Sequence, residues 1–153
     1  MTTLDSIDKA ILQELQYAAK KNVKEIAAVV GLTITPTYER IKRMEQQGVI
    51  KSYVAILDKE KIGKSVEVFC HVTLNSHSRN IIKNFEKSIV KLDDVIECYH
   101  VTGNSDYLVK VLVSNIQQYQ EFIVEKISTI DNVTNVQSAF VMTSVKSNSP
   151  IKL

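Results

Sequence analysis

The feature that most constrains this sequence is a pair of matching helix-to-strand junctions in its second half. Leu92-Asp93-Asp94-Val95 recurs as Ile130-Asp131-Asn132-Val133, an offset of 38 residues, and Ile89 recurs at the same offset as Ile127. Each junction follows an apolar stripe at helical spacing: Ile81, Ile82, Phe85, Ile89 and Leu92 in one, Ile116, Tyr119, Ile123, Ile127 and Ile130 in the other. Strand-like runs flank the stripes at Val66–Leu74, Val95–Thr102, Tyr107–Val113 and Val133–Val145. A β-α-β unit occurring twice in tandem predicts βαββαβ. This is the ferredoxin-like sandwich, with two helices on one face of an antiparallel sheet. No helix covers the other face. The apolar residues of 66–74 and 133–145 predict that it packs on another subunit.

The first fifty residues follow a helical period instead. Leu4, Ile7, Ile11, Leu12 and Leu15 form one stripe, with Asp5 placed to cap the helix and Asp8 in its first turn. Asn22-x-x-Glu25 is a capping-box pattern opening a short second helix that carries Ile26, Val29 and Val30 and stops at Gly31. Thr33 caps a third, Pro36 falls where no N–H is needed, and Gly48 ends it. Ile34, Tyr38, Ile41 and Met44 are expected on its buried face. From Ile50 to Leu57 the alternation predicts a strand, and the charged stretch Asp58–Ser65 reads as a linker. The expected division is therefore a helical domain over 1–50, a hinge strand and linker over 51–65, and a βαββαβ domain over 66–153. The tail Ser147–Leu153 is expected to be an exposed extension.

Composition narrows the class. Of 153 residues 44% are hydrophobic, as a folded chain needs. Nineteen Lys and Arg against seventeen Asp and Glu leave only +2, so nucleic-acid binding must come from a local patch. Two cysteines, Cys70 and Cys98, are too few for a disulfide scaffold. No apolar signal core opens the chain and no spanning segment exists, so a cytoplasmic protein with no membrane role is expected.

Segment 23–47 has the shape of a helix-turn-helix. An α-helix fits the major groove, and its first turns reach the base edges. Thr33, Thr35 and Thr37 stand in those turns, and Arg40, Lys42 and Arg43 are expected to point sideways or outward, toward phosphates or a guanine edge. The same capped bundle could instead contact protein, as a ligand-binding regulatory module would use it. Thr102-Gly103-Asn104-Ser105-Asp106-Tyr107 is a second candidate. Gly103 can expose backbone N–H groups to a carboxylate, Asp106 can accept from an ammonium group, and Thr102 and Asn104 add neutral partners. The same residue types also make a plain hairpin turn. His71, His77 and His100 with the two cysteines lack metal-ligand spacing, and no catalytic or phosphate-binding motif is present. No metal, cofactor or enzymatic activity is expected.

Over nearly its full length the chain resembles the Lrp/AsnC (feast/famine) family of transcriptional regulators. Leu4-Asp5-Ser6-Ile7-Asp8 with Ile11-Leu12 looks like that family's LDxxDxxIL opening. Glu25-Ile26-Ala27, Val30-Gly31-Leu32-Thr33 and the run Thr35–Glu45 followed by Gly48-Val49-Ile50 look like its helix-turn-helix, winged or plain. Gly103 to Asp106 resembles the GxxD turn of its regulatory (RAM) domain, with Ser105 where the family often has an aromatic residue. The resemblance implies a sequence-specific regulator of double-stranded DNA. It further implies an effector, usually a free amino acid, bound near Thr102, Gly103, Asn104 and Asp106. Homodimers assembling into tetramers, octamers or larger rings are implied as well.

Overall fold

The computed structural model describes residues 3–153, which divide into two units: residues up to 56 together with 146–153, and residues 57–145. In the first unit three helices form, α1 (Ser6–Tyr17), α2 (Val23–Val30) and α3 (Ile34–Gln46). Two open with complete capping boxes. Asp5 accepts the Asp8 N–H while the Asp8 side chain accepts that of Asp5, and Asn22 and Glu25 do the same for α2. Gly31 ends α2 in the left-handed region at φ 72°, a conformation that costs a residue with a Cβ more than glycine. Ile11, Leu12, Leu15, Ile26, Ile41 and Met44 close the core between the helices.

One expectation for this unit is revised. Residues 51–57 form no strand, and among the described residues none of them makes a main-chain to main-chain hydrogen bond. A strand exists by pairing, and this segment has no partner in a single chain. Its Tyr53, Val54, Ile56 and Leu57 stay exposed. The tail is exposed over most of its length, as expected, and groups with the first unit. The Gln16 amide on α1 accepts the Ile151 N–H at 2.7 Å and donates to the Ile151 carbonyl at 3.1 Å.

The second unit is the expected βαββαβ. Its elements are β1 (Val66–Leu74), α4 (Arg79–Ile89), β2 (Val95–His100), β3 (Tyr107–Val113), α5 (Ile116–Glu121) and β4 (Val133–Phe140). The sheet runs β2-β3-β1-β4 with every pair antiparallel. Val68, Cys70, Val72 and Leu74 of β1 and Tyr107, Val109, Val111 and Val113 of β3 alternate into the core, where Phe85, Ile89, Tyr119, Phe122 and Ile127 meet them. On the opposite face Lys110 lies over the Phe69 ring and pairs with Glu67 and Glu97.

The second helix departs from its expected stripe. After Glu121 the backbone widens into a π-turn over Phe122–Lys126 and tightens to a 3₁₀ turn over Ile127–Thr129. The buried positions become Tyr119, Phe122 and Ile127, while Ile116 is exposed at the helix start. β4 stops at Phe140 rather than 145 because Phe140 already pairs with Val68, near the beginning of β1. Beyond it only the Val141 N–H continues, bonded to the Glu67 carbonyl.

Candidate functional site: a nucleic-acid face and an effector turn

The start of α3 is an exposed polar edge. Thr33 occupies the cap position without using its side chain as a cap, and Thr33, Ile34 and Thr35 are all exposed. Pro36 at the third helical position has no N–H, so the free donors at this end are those of Ile34 and Thr35. Thr37 does not join them. It is 0% exposed, and its hydroxyl donates to the Thr33 carbonyl at 2.9 Å. Its expected contact with bases is therefore corrected: Thr37 lies on the buried face with Ile41 and Met44. Tyr38, expected inside, is half exposed. Lys42 is exposed and loosely paired with Glu45 at 3.6 Å. Glu45 also accepts the Tyr53 hydroxyl at 3.0 Å, and burial together with that carboxylate pushes the Tyr53 phenol up to about 12.

Arg40 and Arg43 point back to α1. Arg40 Nη1 bonds Asp5 Oδ2 at 2.6 Å and Asp8 Oδ1 at 2.8 Å, and Arg43 Nη2 bonds Asp8 Oδ2 at 2.6 Å. The Asp8 side chain is 1% exposed and that of Arg43 46%. The Asp8 N–H, then the Arg40 guanidinium, holds the Asp5 carboxyl below its usual range. Asp8 is thus more than a first-turn acid beside the helix dipole. It anchors α3 to α1, a role that spacing along one helix cannot reveal.

In the second unit, residues 101–106 join β2 to β3. Gly103 takes φ 126°, a region nearly closed to other residues. The Val101 N–H bonds the Asp106 carbonyl and the Asp106 N–H bonds the Val72 carbonyl, each at 2.9 Å. Thr102, Gly103 and Asn104 are exposed, and among the described residues neither the Thr102 nor the Asn104 side chain is hydrogen-bonded. Asp106 is more deeply held. Its Oδ2 accepts the Leu74 N–H at 2.7 Å, and its Oδ1 lies 2.6 Å from His77 Nε2. The Leu74 N–H, and after it the His77 imidazole, lower its pKa against the opposing effect of burial.

All three histidines of the chain gather at this turn. His71 Nδ1 lies 3.3 Å from Ser105 Oγ, and the His100 ring stacks on Tyr107 at 4.8 Å. The grouping has no trace in their sequence spacing, because β1, the β1–α4 loop and β2 each supply one. Cys70 and Cys98 both register with Val109 from opposite sides, so they stand two strands apart as free thiols. Among the described residues no set of three or more His, Cys, Asp or Glu side chains is arranged to hold a metal ion.

Comparison with known proteins connects the two units. Residues 4–51 match the winged helix-turn-helix DNA-binding model, and residues 67–151 match the Lrp/AsnC ligand binding domain. The Bkd operon transcriptional regulator of Pseudomonas aeruginosa is 34% identical over 145 residues, 95% of each chain. The leucine-responsive regulatory protein of Escherichia coli is 34% identical over 146 residues, 95% of this chain and 89% of its own. Among solved structures, a transcriptional regulator of Neisseria meningitidis in complex with L-methionine superposes with a TM-score of 0.93 at 27% identity. That alignment covers 97% of this chain and 96% of the other. The chain therefore belongs to the Lrp/AsnC family and is a DNA-binding transcriptional regulator with a ligand-binding domain.

Proposed function

We propose that this regulator reads double-stranded operator DNA by laying the first turns of α3 in the major groove. Thr33 and Thr35 meet base edges, and Lys42 and Arg43 meet phosphates or a guanine edge. Arg40 acts mainly as the clamp that holds the helix, through Asp5 and Asp8. The observation that carries this reading is an exposed helix start on a helix fixed from behind by a buried carboxylate. A single recognition helix binds weakly, so the functional unit is a homodimer, assembling further to tetramers, octamers or larger. Its assembly surfaces are the unpaired segment 51–57 and the helix-free face of the sheet. Among the described residues no helix is long and apolar enough to cross a membrane.

The effector in this reading is a free amino acid at the turn 102–106. Asp106 receives its ammonium group, and Thr102, Asn104 and the Gly103 backbone receive its carboxylate. The neisserial relative, solved with L-methionine, supports this chemical class. The amino acid acts by linkage: it binds one assembly better than another and so changes how paired α3 helices are presented. The test is sedimentation of the purified protein with each standard L-amino acid, paired with fluorescence anisotropy on the DNA upstream of its own gene. One amino acid should shift both the oligomer distribution and the DNA affinity, and Asp106→Asn should remove both responses. An Asp106→Asn protein that responds like the wild type refutes the assignment of the turn.

A further inference from the structure

We propose that His77 is a built-in occupant of the effector's ammonium site, a positioning residue that sets how much amino acid is needed before the regulator responds. The inference rests on the reading of turn 102–106 as the effector site and deepens it.

The two carboxylate oxygens of Asp106 are held differently. Oδ2 is fixed by the Leu74 N–H and holds the carboxylate in one orientation at the end of β1. Oδ1 is the oxygen left for a ligand, and His77 Nε2 already lies 2.6 Å from it. An imidazole N–H in that place offers the acceptor what an amino acid's ammonium group offers: a nitrogen donor, cationic when the ring is protonated. The carboxylate is 15% exposed, so its outer oxygen has little room for two donors.

His77 is also placed to leave. Its side chain is 68% exposed and lies on the loop between β1 and α4, just before the Ser78 cap of α4. The contact with Asp106 is the one hydrogen bond its ring makes among the described residues. The other two imidazoles at the turn are held differently, His71 by Ser105 and His100 by stacking on Tyr107. An arriving ammonium group therefore exchanges with His77 at Oδ1 while the Leu74 anchor stays in place. The exchange lowers apparent affinity without altering the fold, as any competing internal ligand does.

The experiment is calorimetric titration of the full-length protein with the standard L-amino acid that gives the largest thermal shift. Wild type, His77→Ala, His77→Arg and Asp106→Asn are compared. His77 is held at this site by a single hydrogen bond from a mostly exposed ring, so His77→Ala should bind about two- to fivefold more tightly than wild type. His77→Arg, which keeps a permanent cation beside Oδ1, should bind more weakly than wild type, with both His77 variants melting within a degree or two of it. Damage to the fold would weaken binding in both, so opposite directions identify competition. Weaker or unchanged binding by His77→Ala, in a protein whose binding is still lost in Asp106→Asn, overturns the role of His77 and leaves the effector turn standing. Binding that ignores Asp106→Asn, or no binding by any standard amino acid, overturns the effector turn and the role of His77 with it.

Discussion

Arg43 Nη2 lies 2.6 Å from Asp8 Oδ2, joining the last turn of α3 to the first turn of α1. Arg40 reaches the other oxygen of the same carboxylate, so one buried acid holds two turns of α3. With this clamp in place α3 cannot roll on α1 without breaking charge-assisted bonds.

Removing the clamp is therefore expected to cost stability. Asp8→Ala leaves Arg40 with Asp5 alone and Arg43 without a partner. The expected loss is about 1–3 kcal/mol, because the Arg43 side chain is 46% exposed and water takes up part of the lost bonds. Urea denaturation should show a lower midpoint at unchanged slope. A midpoint equal to that of wild type would mean that α3 is held by apolar packing alone.

Thr37→Val tests the correction made on α3. The isosteric change removes the hydroxyl bonded to the Thr33 carbonyl and keeps the buried shape. A loss of about 1 kcal/mol is expected, with operator affinity unchanged under conditions where the variant is fully folded. A tenfold drop in affinity at full folding would return Thr37 to the base-contacting set.

Acid should weaken the protein through named carboxylates. Asp5 is lowered by the Asp8 N–H and Arg40, and Asp106 by the Leu74 N–H and His77. Glu67, whose burial works the other way, is lowered by Lys59 and Lys110. A carboxyl held lower in the folded state contributes stability that is complete above its unfolded pKa and lost as pH falls through the folded one. The urea midpoint should accordingly fall as pH drops below about 4. Asp5→Asn should flatten part of that fall, and a midpoint at pH 3.5 equal to that at pH 5.5 contradicts the assignment.

Segment 51–57 should pair with a second copy. Val54 is 73% exposed, and with Tyr53, Ile56 and α1 it borders an apolar cavity of about 560 Å³. Val54→Asp should shift sedimentation toward monomer and weaken operator binding, while the melting of the second unit is preserved. An unaltered oligomer distribution would exclude the segment from the interface.

Much of this was legible in the residues. The junctions at Leu92–Val95 and Ile130–Val133 exposed the repeat, and with it the sheet order, because a tandem β-α-β unit has few ways to close. Asp5, Asn22 and Gly31 marked helix ends through local chemistry that needs no tertiary context. The departures share one cause, which is that they depend on partners distant in sequence or outside the chain. Asp8 meets Arg40 and Arg43 across some 32–35 residues. His77 meets Asp106 across 29. The π-turn at Phe122 lies in a helix packed on a sheet built from four separate segments, and residues 51–57 alternate like a strand but have no strand beside them in the chain. Gly103 and Asp106 were visible as a turn, whereas the grip of Leu74 and His77 on the carboxylate was not.

Whether α3 reads the groove while Asp8 steadies it is tested most directly by operator affinity across a salt series. Fluorescence anisotropy would compare wild type, Arg40→Ala and the double variant Lys42→Ala/Arg43→Ala, on the DNA upstream of the gene and on a scrambled fragment. Wild type should prefer the upstream DNA by about 10³-fold or more, with a steep negative slope of log affinity on log salt. The double variant should have a slope shallower by about two per bound helix, while Arg40→Ala, measured where it is folded, keeps the wild-type slope. Equal affinity for both fragments, or one slope shared by wild type and the double variant, would contradict the account.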